Sequence, residues 1–268
     1  MYSFVKILGK EIPVYWLVGV AGLAVCFFFC KARAKKFEKV TWLDLTNMFG
    51  IGLVGMFLGG RLLYILTTLP LIIKNWSYVM EHKNILWEVI SNGIVFYGGL
   101  FGFLLAIKIY IKKYKLDSES YFDLLAPAIP LFHAFGRVGC FFNGCCYGIE
   151  SDACGIAFHH SAAAPNGVKL LPVQLIGSAG ELLLFFLTLR YEKKHHEEGK
   201  AIYFYLALYA IGRFILEFFR GDEYRGVYFG LSTSAWISLA MGTVLLAHLM
   251  CQENRPHGSA FLAEEEER

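Results

Sequence analysis

Three arginines, Arg61, Arg137 and Arg213, each lie inside an apolar run long enough to cross a lipid bilayer. A lone charge at mid-membrane costs roughly 2.5 to 3.5 kcal/mol on insertion scales. Keeping three of them points to an anionic partner held at membrane depth, and the simplest such anion is the phosphate of a lipid. Arginine suits that task because its planar fork of donors matches phosphate oxygens.

The sharpest cluster is Tyr209, Arg213, Glu217 and Arg220. Steps of four, four and three put all of them on one face of a helix. Such a stripe must face a protein interior or a water-filled cavity. A self-neutralising Arg213–Glu217 pair is the plainer alternative. A second block runs from His133 through Arg137 and Asn143 to Gly148, with Pro127 and Pro130 ahead of it. Prolines early and glycines late suggest a helix that breaks inside the protein, where freed N–H groups and Arg137 would suit a phosphate. A third piece, Gly93 to Gly99, sets Tyr97 beside Gly98 and Gly99.

The seven cysteines are Cys26, Cys30, Cys140, Cys145, Cys146, Cys154 and Cys251. Their odd number argues against a complete disulfide framework. Cys140, Cys145, Cys146 and Cys154, with His133, His159 and His160, fall short of zinc spacing, because adjacent Cys145 and Cys146 do not offer ligands two to four residues apart. There is no Cys-x-x-Cys for thiol redox work. These cysteines read as packing residues, or as a disulfide from Cys140 or Cys146 to Cys154. No metal ligand and no cofactor is assigned.

The elements that must position these groups are membrane helices. Of 268 residues, 56% are hydrophobic and 18% charged, against roughly 45–50% and 25% in soluble domains. Mean hydropathy is +0.49. The net charge of +3 is too small to suggest nucleic acid. Seven spans are expected, at 12–30, 45–69, 89–111, 121–143, 172–190, 201–219 and 232–250, giving an all-α integral membrane bundle. The first is read as a retained span rather than a cleaved signal, since its charges follow it and no small-x-small site ends it. Fifteen basic residues fall on one side of this arrangement and seven on the other. The positive-inside rule then puts the N-terminus outside and the C-terminus in the cytoplasm. Residues 1–251 read as one polytopic domain with external segments 70–88 and 144–171. Trp76, Tyr78 and Trp87 in the former form an interfacial aromatic set. The tail 252–268, with Glu264 to Glu267, reads as a disordered acidic cytoplasmic end.

These pieces, in this order, resemble the prolipoprotein diacylglyceryl transferases of the bacterial plasma membrane. The resemblance runs from about Tyr15 to about Ser238. It is carried by Tyr15-Trp16-Leu17-Val18-Gly19, Phe57 to Arg61, Tyr97-Gly98-Gly99, and Asp123 to Gly148 with Gly136-Arg137. Pro172-x-Gln174-Leu175 and the stripe from Tyr209 to Arg220 complete it. It implies transfer of a diacylglyceryl group from phosphatidylglycerol to the lipobox cysteine thiol of a prolipoprotein, releasing glycerol phosphate. It implies catalytic roles for Arg137, Arg213, Tyr97, Tyr209 and His133. Lipid contacts would come from Arg137, Arg213, Arg61, Arg220, Glu217, Gly98, Gly99, Asn143 and Gly148. The implied partners are phosphatidylglycerol, lipobox-bearing prolipoproteins and membrane lipid. Many members have His where this chain has Tyr97, Asn at position 140 and Glu at position 145, so the site is a variant one.

Other classes predict other features. A retinal receptor needs a lysine in its last span, and 232–250 has none. An anion or lipid transporter would move substrate without consuming lipid. A membrane thiol-redox protein would depend on Cys145 and Cys146 above the arginines.

Overall fold

The protein is described by a computed structural model covering residues 4–7, 10–37, 39–82, 84, 93–161, 163–194, 199–222 and 227–253. Trp87, the start of the expected span 89–111 and the tail from residue 254 lie outside these residues. Helices dominate. A hairpin of β1 (Phe4–Ile7) and β2 (Lys10–Pro13) leads into α1 (Val14–Ala34), and α2 (Trp42–Lys74), α3 (Trp76–Glu81) and α4 (Phe96–Tyr114) follow. Next come α5 (Ser118–Leu125) and α6 (Ala128–Asn143), then a loop carrying β3 (Ile156–Ala157) paired with β4 (Lys169–Leu170). The rest is α7 (Val173–Lys194), α8 (Ala201–Glu217), a short hairpin of β5 (Val227–Tyr228) and β6 (Leu231–Ser232), and α9 (Thr233–Glu253).

Four helical stretches are long and apolar enough to cross a membrane: Val14–Ala34, Trp42–Lys74, Ser118–Asn143 and Val173–Lys194. Helices also lie at the other three expected segments. Among these, α8 has only 17 residues and α4 carries Lys108, Lys112 and Lys113. Lipid is the natural neighbour of Val54, Leu58 and Leu62 on α2, which are all exposed. By contrast, 56% of the most apolar stretch of Ser118–Asn143 is buried, against 17% for Trp42–Lys74. That central segment is therefore built as an interior element, and it carries much of the chemistry.

The chain falls into two compact units, Met1–Cys26 with Leu125–Arg268, and Phe27–Leu124. In the second, α2 packs on α4 through two Gly-x-x-x-Gly faces, Gly55/Gly59 and Gly98/Gly102. A Cβ at any of the four would land on a carbonyl of the facing helix. Backbone-to-backbone contact of this kind is the usual adhesive between membrane helices, where water supplies no hydrophobic drive. At the head of α2, Thr41 Oγ1 caps the helix by accepting from Asp44 N at 3.2 Å. Asp44 in turn accepts from Tyr110 and Tyr121 at 3.0 and 3.3 Å.

The expected break in the fourth segment is present but displaced. It falls at Ala126–Pro127, between α5 and α6, because Pro127 cannot continue the ladder of α5. Pro130 sits in the first turn of α6, where its missing N–H has no partner to lose. Gly136 and Gly139 lie inside an unbroken helix. Gly139 is there for closeness: a Cβ would stand 3.0 Å from the Tyr15 ring. The helix ends at Gly144, whose φ of 73° makes the left-handed cap that glycine adopts without strain. The segment 144–171 has a small core of its own, with Phe158, Ala164 and Leu170 packed on Phe141 of α6.

Candidate active site

In the unit formed by 1–26 and 125–268, helix α6 presents His133, Arg137 and Cys140 at i, i+4 and i+7, one face of one helix. Helix α7 runs antiparallel to it and answers residue by residue. Glu181 Oε1 lies 2.7 Å from His133 Nδ1. Ser178 Oγ donates to the Ala134 carbonyl at 3.0 Å. The Arg137 guanidinium lies across Gly177, where a Cβ would stand 2.8 Å from Nε, and donates to the Val173 carbonyl at 3.4 Å. Gln174 Nε2 donates to the Cys145 carbonyl at 2.9 Å. The bare backbone at Gly177 is what lets a full arginine side chain fit between two packed helices.

Helix α8 supplies the stripe foreseen from sequence. Tyr209 is 3% exposed and sets its ring edge to face against His133, with centroids 5.4 Å apart. Arg213 pairs with Glu217 one turn on. Arg220 reaches Glu217 at 3.7 Å and grips Asp222 through Nε–Oδ1 at 2.9 Å and NH2–Oδ2 at 2.5 Å. These four groups hold two positive and two negative charges, so the stripe neutralises itself. The plain Arg213–Glu217 pairing is the one that forms. Arg137 differs: among the described residues no carboxylate pairs with it. It is a partly buried cation with a single long hydrogen bond, and its charge acts on the nearby Cys146 thiol, so it is suited to receive an anion.

Backbone pairing ties the loop after α6 to the end of α8. Gly148 bridges Arg220, with Ile149 N donating to Phe219 O and Gly221 N to Tyr147 O, both at 3.0 Å. On the other side Gly148 N donates to Leu171 O at 3.1 Å. Gly148 thus serves as a close-packed backbone junction that brings Arg220 beside Cys146. Hydrogen bonds with the Cys140 and Cys145 thiols hold the Cys146 thiol well below its ordinary pKa, against the opposing effect of burial. The charges of Arg220 and Arg137 act in the same direction. Asn143, at the end of α6, hydrogen-bonds the Cys145 side chain. All six described cysteines are free thiols, so the disulfide to Cys154 does not form.

The remaining expected residues lie in the other unit. Tyr97 is 2% exposed and stacks on Phe101. Gly98 is closed over by Gly59 and Gly99 touches Met56. Arg61 stands over the Phe57 ring and donates to the Gly93 carbonyl at 3.3 Å. Sequence reasoning missed Glu181, Asp222 and Ser178, and named Gln174 only within a motif, without a role. Glu181 had a usable signal, since a carboxylate within an apolar span needs a partner. Asp222, two residues beyond Arg220, had none.

A family model described as prolipoprotein diacylglyceryl transferase matches residues 3–251. A phosphatidylglycerol–prolipoprotein diacylglyceryl transferase of Clostridium tetani is 35% identical over 87% of this chain and 90% of its own length. One of Clostridium perfringens, numbered 2, is 34% identical over 91% and 93%. A third, of Idiomarina loihiensis, is 29% identical over 86% and 85%. None of the three is named as a transporter or a redox protein.

Proposed function

This chain belongs to the prolipoprotein diacylglyceryl transferase family, and from that premise we propose how it works. It is a transferase that moves a diacylglyceryl group from phosphatidylglycerol to a prolipoprotein. The acceptor is the thiol of a lipobox cysteine, and the products are a thioether and glycerol phosphate. The chain works in the bacterial plasma membrane, crossing it seven times with the N-terminus outside and the C-terminus in the cytoplasm. The excess of basic residues on one side supports that orientation.

The reading of the site is carried by Arg137, the partly buried arginine that no described carboxylate neutralises. Its fork takes the lipid phosphate. As the thiolate sulfur attacks the glycerol carbon, an S–C bond forms and the C–O bond breaks. The electron pair leaves on the phosphate oxygen, which gains charge as it departs. A preorganised guanidinium beside that oxygen stabilises the transition state more than the ground state. No protein nucleophile is needed, because the acceptor brings its own. Arg213 and Arg220, already paired with Glu217 and Asp222, hold the frame and the local field. His133 takes the thiol proton. The Glu181 carboxylate on Nδ1 orients the ring so that Nε2 is the proton acceptor, and Tyr209 packs the ring in place. Tyr97 and Arg61 are given no step.

The test is reconstitution of purified protein with phosphatidylglycerol and a lipobox peptide, with the peptide weighed by mass spectrometry. A diacylglyceryl mass gain on the cysteine peptide, absent with a serine peptide, is expected. No gain from folded protein would overturn the reading.

A further inference from the structure

The three sulfurs of Cys140, Cys145 and Cys146 all lie within 4.8 Å of one another. Sequence spacing argues against this, because two adjacent thiols on ordinary backbone point apart. The backbone resolves it. Gly144 turns the chain in the left-handed region, Cys145 follows, and Cys146 itself takes a φ of 57°. Together these turns fold both thiols back toward Cys140 on the last turn of α6. The geometry is held from outside by Gln174 through the Cys145 carbonyl and by the pairing of Gly148 with Arg220. Cys145 also donates to the Cys140 carbonyl at 3.8 Å.

Zinc bound by thiolates has Zn–S distances of about 2.3 Å, which puts three sulfurs on a tetrahedron about 3.8 Å apart. The cluster is within small side-chain rotations of that arrangement. Three thiolates around Zn²⁺ carry one net negative charge, and Arg137 and Arg220 stand close enough to act on it. No histidine or fourth cysteine completes the set among the described residues, so a tetrahedral ion would keep one position open. Three protein ligands with one open position is the pattern of a working zinc site rather than a structural one.

We propose that Cys140, Cys145 and Cys146 bind one zinc ion whose open fourth position takes the thiol of the acceptor protein. This rests on the transferase reading above. Coordination replaces the S–H bond by S–Zn and releases one proton to the base and solvent. The bound thiolate then attacks the glycerol carbon, and the C–O electron pair leaves on phosphate as before. Once it is a thioether, the sulfur is a weak ligand and departs. Nothing is oxidised or reduced. The site thereby holds the nucleophile beside Arg137, where the leaving phosphate is bound. The charged and titratable groups facing it are Tyr15 of α1, Arg137 of α6 and Arg220 after α8.

The experiment uses full-length reduced protein in detergent, stripped with a chelator and reloaded with Zn²⁺ or Co²⁺. One zinc per chain, with thiolate-to-cobalt charge-transfer absorption lost in Cys146→Ser and Cys140→Ser, is expected. Adding a cysteine lipobox peptide should shift the cobalt bands, and the serine peptide should not. A free thiol is only a few per cent ionised at pH 7. Chelation should therefore slow transfer by up to roughly 30-fold at pH 7 and by less than about twofold at pH 9, above the thiol pKa near 8.5. Reduced protein that binds neither metal and transfers normally in chelator would overturn the zinc site and leave the transferase standing. Metal binding with identical cobalt spectra for both peptides would overturn the thiol-binding role. Absence of transfer from folded, zinc-loaded protein would overturn the transferase reading, and with it the acceptor-thiol role.

Discussion

Replacing Arg137 by alanine should abolish most transfer while leaving the protein nearly as stable as before. The reasoning turns on what the side chain leaves behind. Its one hydrogen bond in the resting protein is a 3.4 Å contact to the Val173 carbonyl, and no described carboxylate depends on it. Alanine is also the best helix former. The folded protein therefore loses little beyond the packing of the side-chain stem. The transition state loses a charge-assisted contact to an oxygen whose negative charge is growing. Removing one such preorganised donor costs about 2.7–4 kcal/mol, or 10²–10³ in kcat. Arg137→Lys keeps the charge and loses the fork, and should cost roughly tenfold, about 1.4 kcal/mol, in kcat/KM. The assay is initial-rate transfer to a lipobox peptide at varied phosphatidylglycerol, so that kcat and KM separate. Thermal unfolding in the same detergent runs alongside. Transfer by Arg137→Ala within about threefold of wild type would refute the assignment, since the estimated loss is at least 10²-fold.

Three further outcomes follow from the same coordinates. Arg213→Ala takes from Glu217, which is 6% exposed, its closest described ion-pair partner and leaves the 3.7 Å contact to Arg220. It should destabilise the protein by about 3–5 kcal/mol, and Arg213→Ala with Glu217→Gln should recover most of that in thermal unfolding; no recovery would mean the pair is not the cause. His133→Ala should cut transfer by about 10²-fold or more, whereas Tyr97→Phe should stay within a few-fold; the reverse order in the mass-spectrometric assay would move the proton acceptor to Tyr97. Asp117, outside the spans, accepts from Ser120 at 2.5 Å and pairs with Lys39 at 3.3 Å, and these partners hold its carboxyl below the usual carboxylate range. A lowered carboxylate pKa stabilises the fold above the unfolded value and loses that stabilisation as pH falls through the folded one. Asp117→Asn should therefore flatten the loss of thermal stability below about pH 4; an unchanged acid limb would sink this.

Much of the fold was legible because membrane helices advertise themselves by length and hydropathy: four helices are long and apolar enough to cross a membrane, and shorter or more charged helices lie at the other three expected segments. What escaped was set by single residues acting against their surroundings. The hairpin ahead of α1 left no mark in an apolar run, and only Pro13 and the paired charges of Lys6 and Glu11 hint at it. The break before α6 was expected from early prolines and late glycines together. It fell at Pro127 because a helix is stopped by a missing donor and a steric clash, not by permissiveness. Gly136 and Gly139 stay helical because the neighbours of a packed segment decide its conformation more strongly than propensity does.

The site divides along a similar line. Periodicity within one helix is written in the chain, so the stripe from Tyr209 to Arg220 could be read directly. Pairing between helices is not, which is why Glu181 could be seen to need a partner but not to find it in His133. That difference reverses the ranking of the arginines. Read alone, Arg213 looks like the strongest anion site, since it sits in the richest cluster. With its partners in view, that cluster sums to zero charge, and the uncompensated cation is Arg137, on a helix face that also carries His133 and Cys140. A partly buried cation without a carboxylate partner is suited to an anion that arrives. One face offering a base, a phosphate clamp and a thiolate cluster in successive turns has a chemical order that matches alkylation of a thiol by a phosphate ester. A folded Arg137→Ala protein with undiminished affinity for phosphatidylglycerol would break that correspondence, because Arg213 and Arg220, the other arginines of the site, are already paired with Glu217 and Asp222.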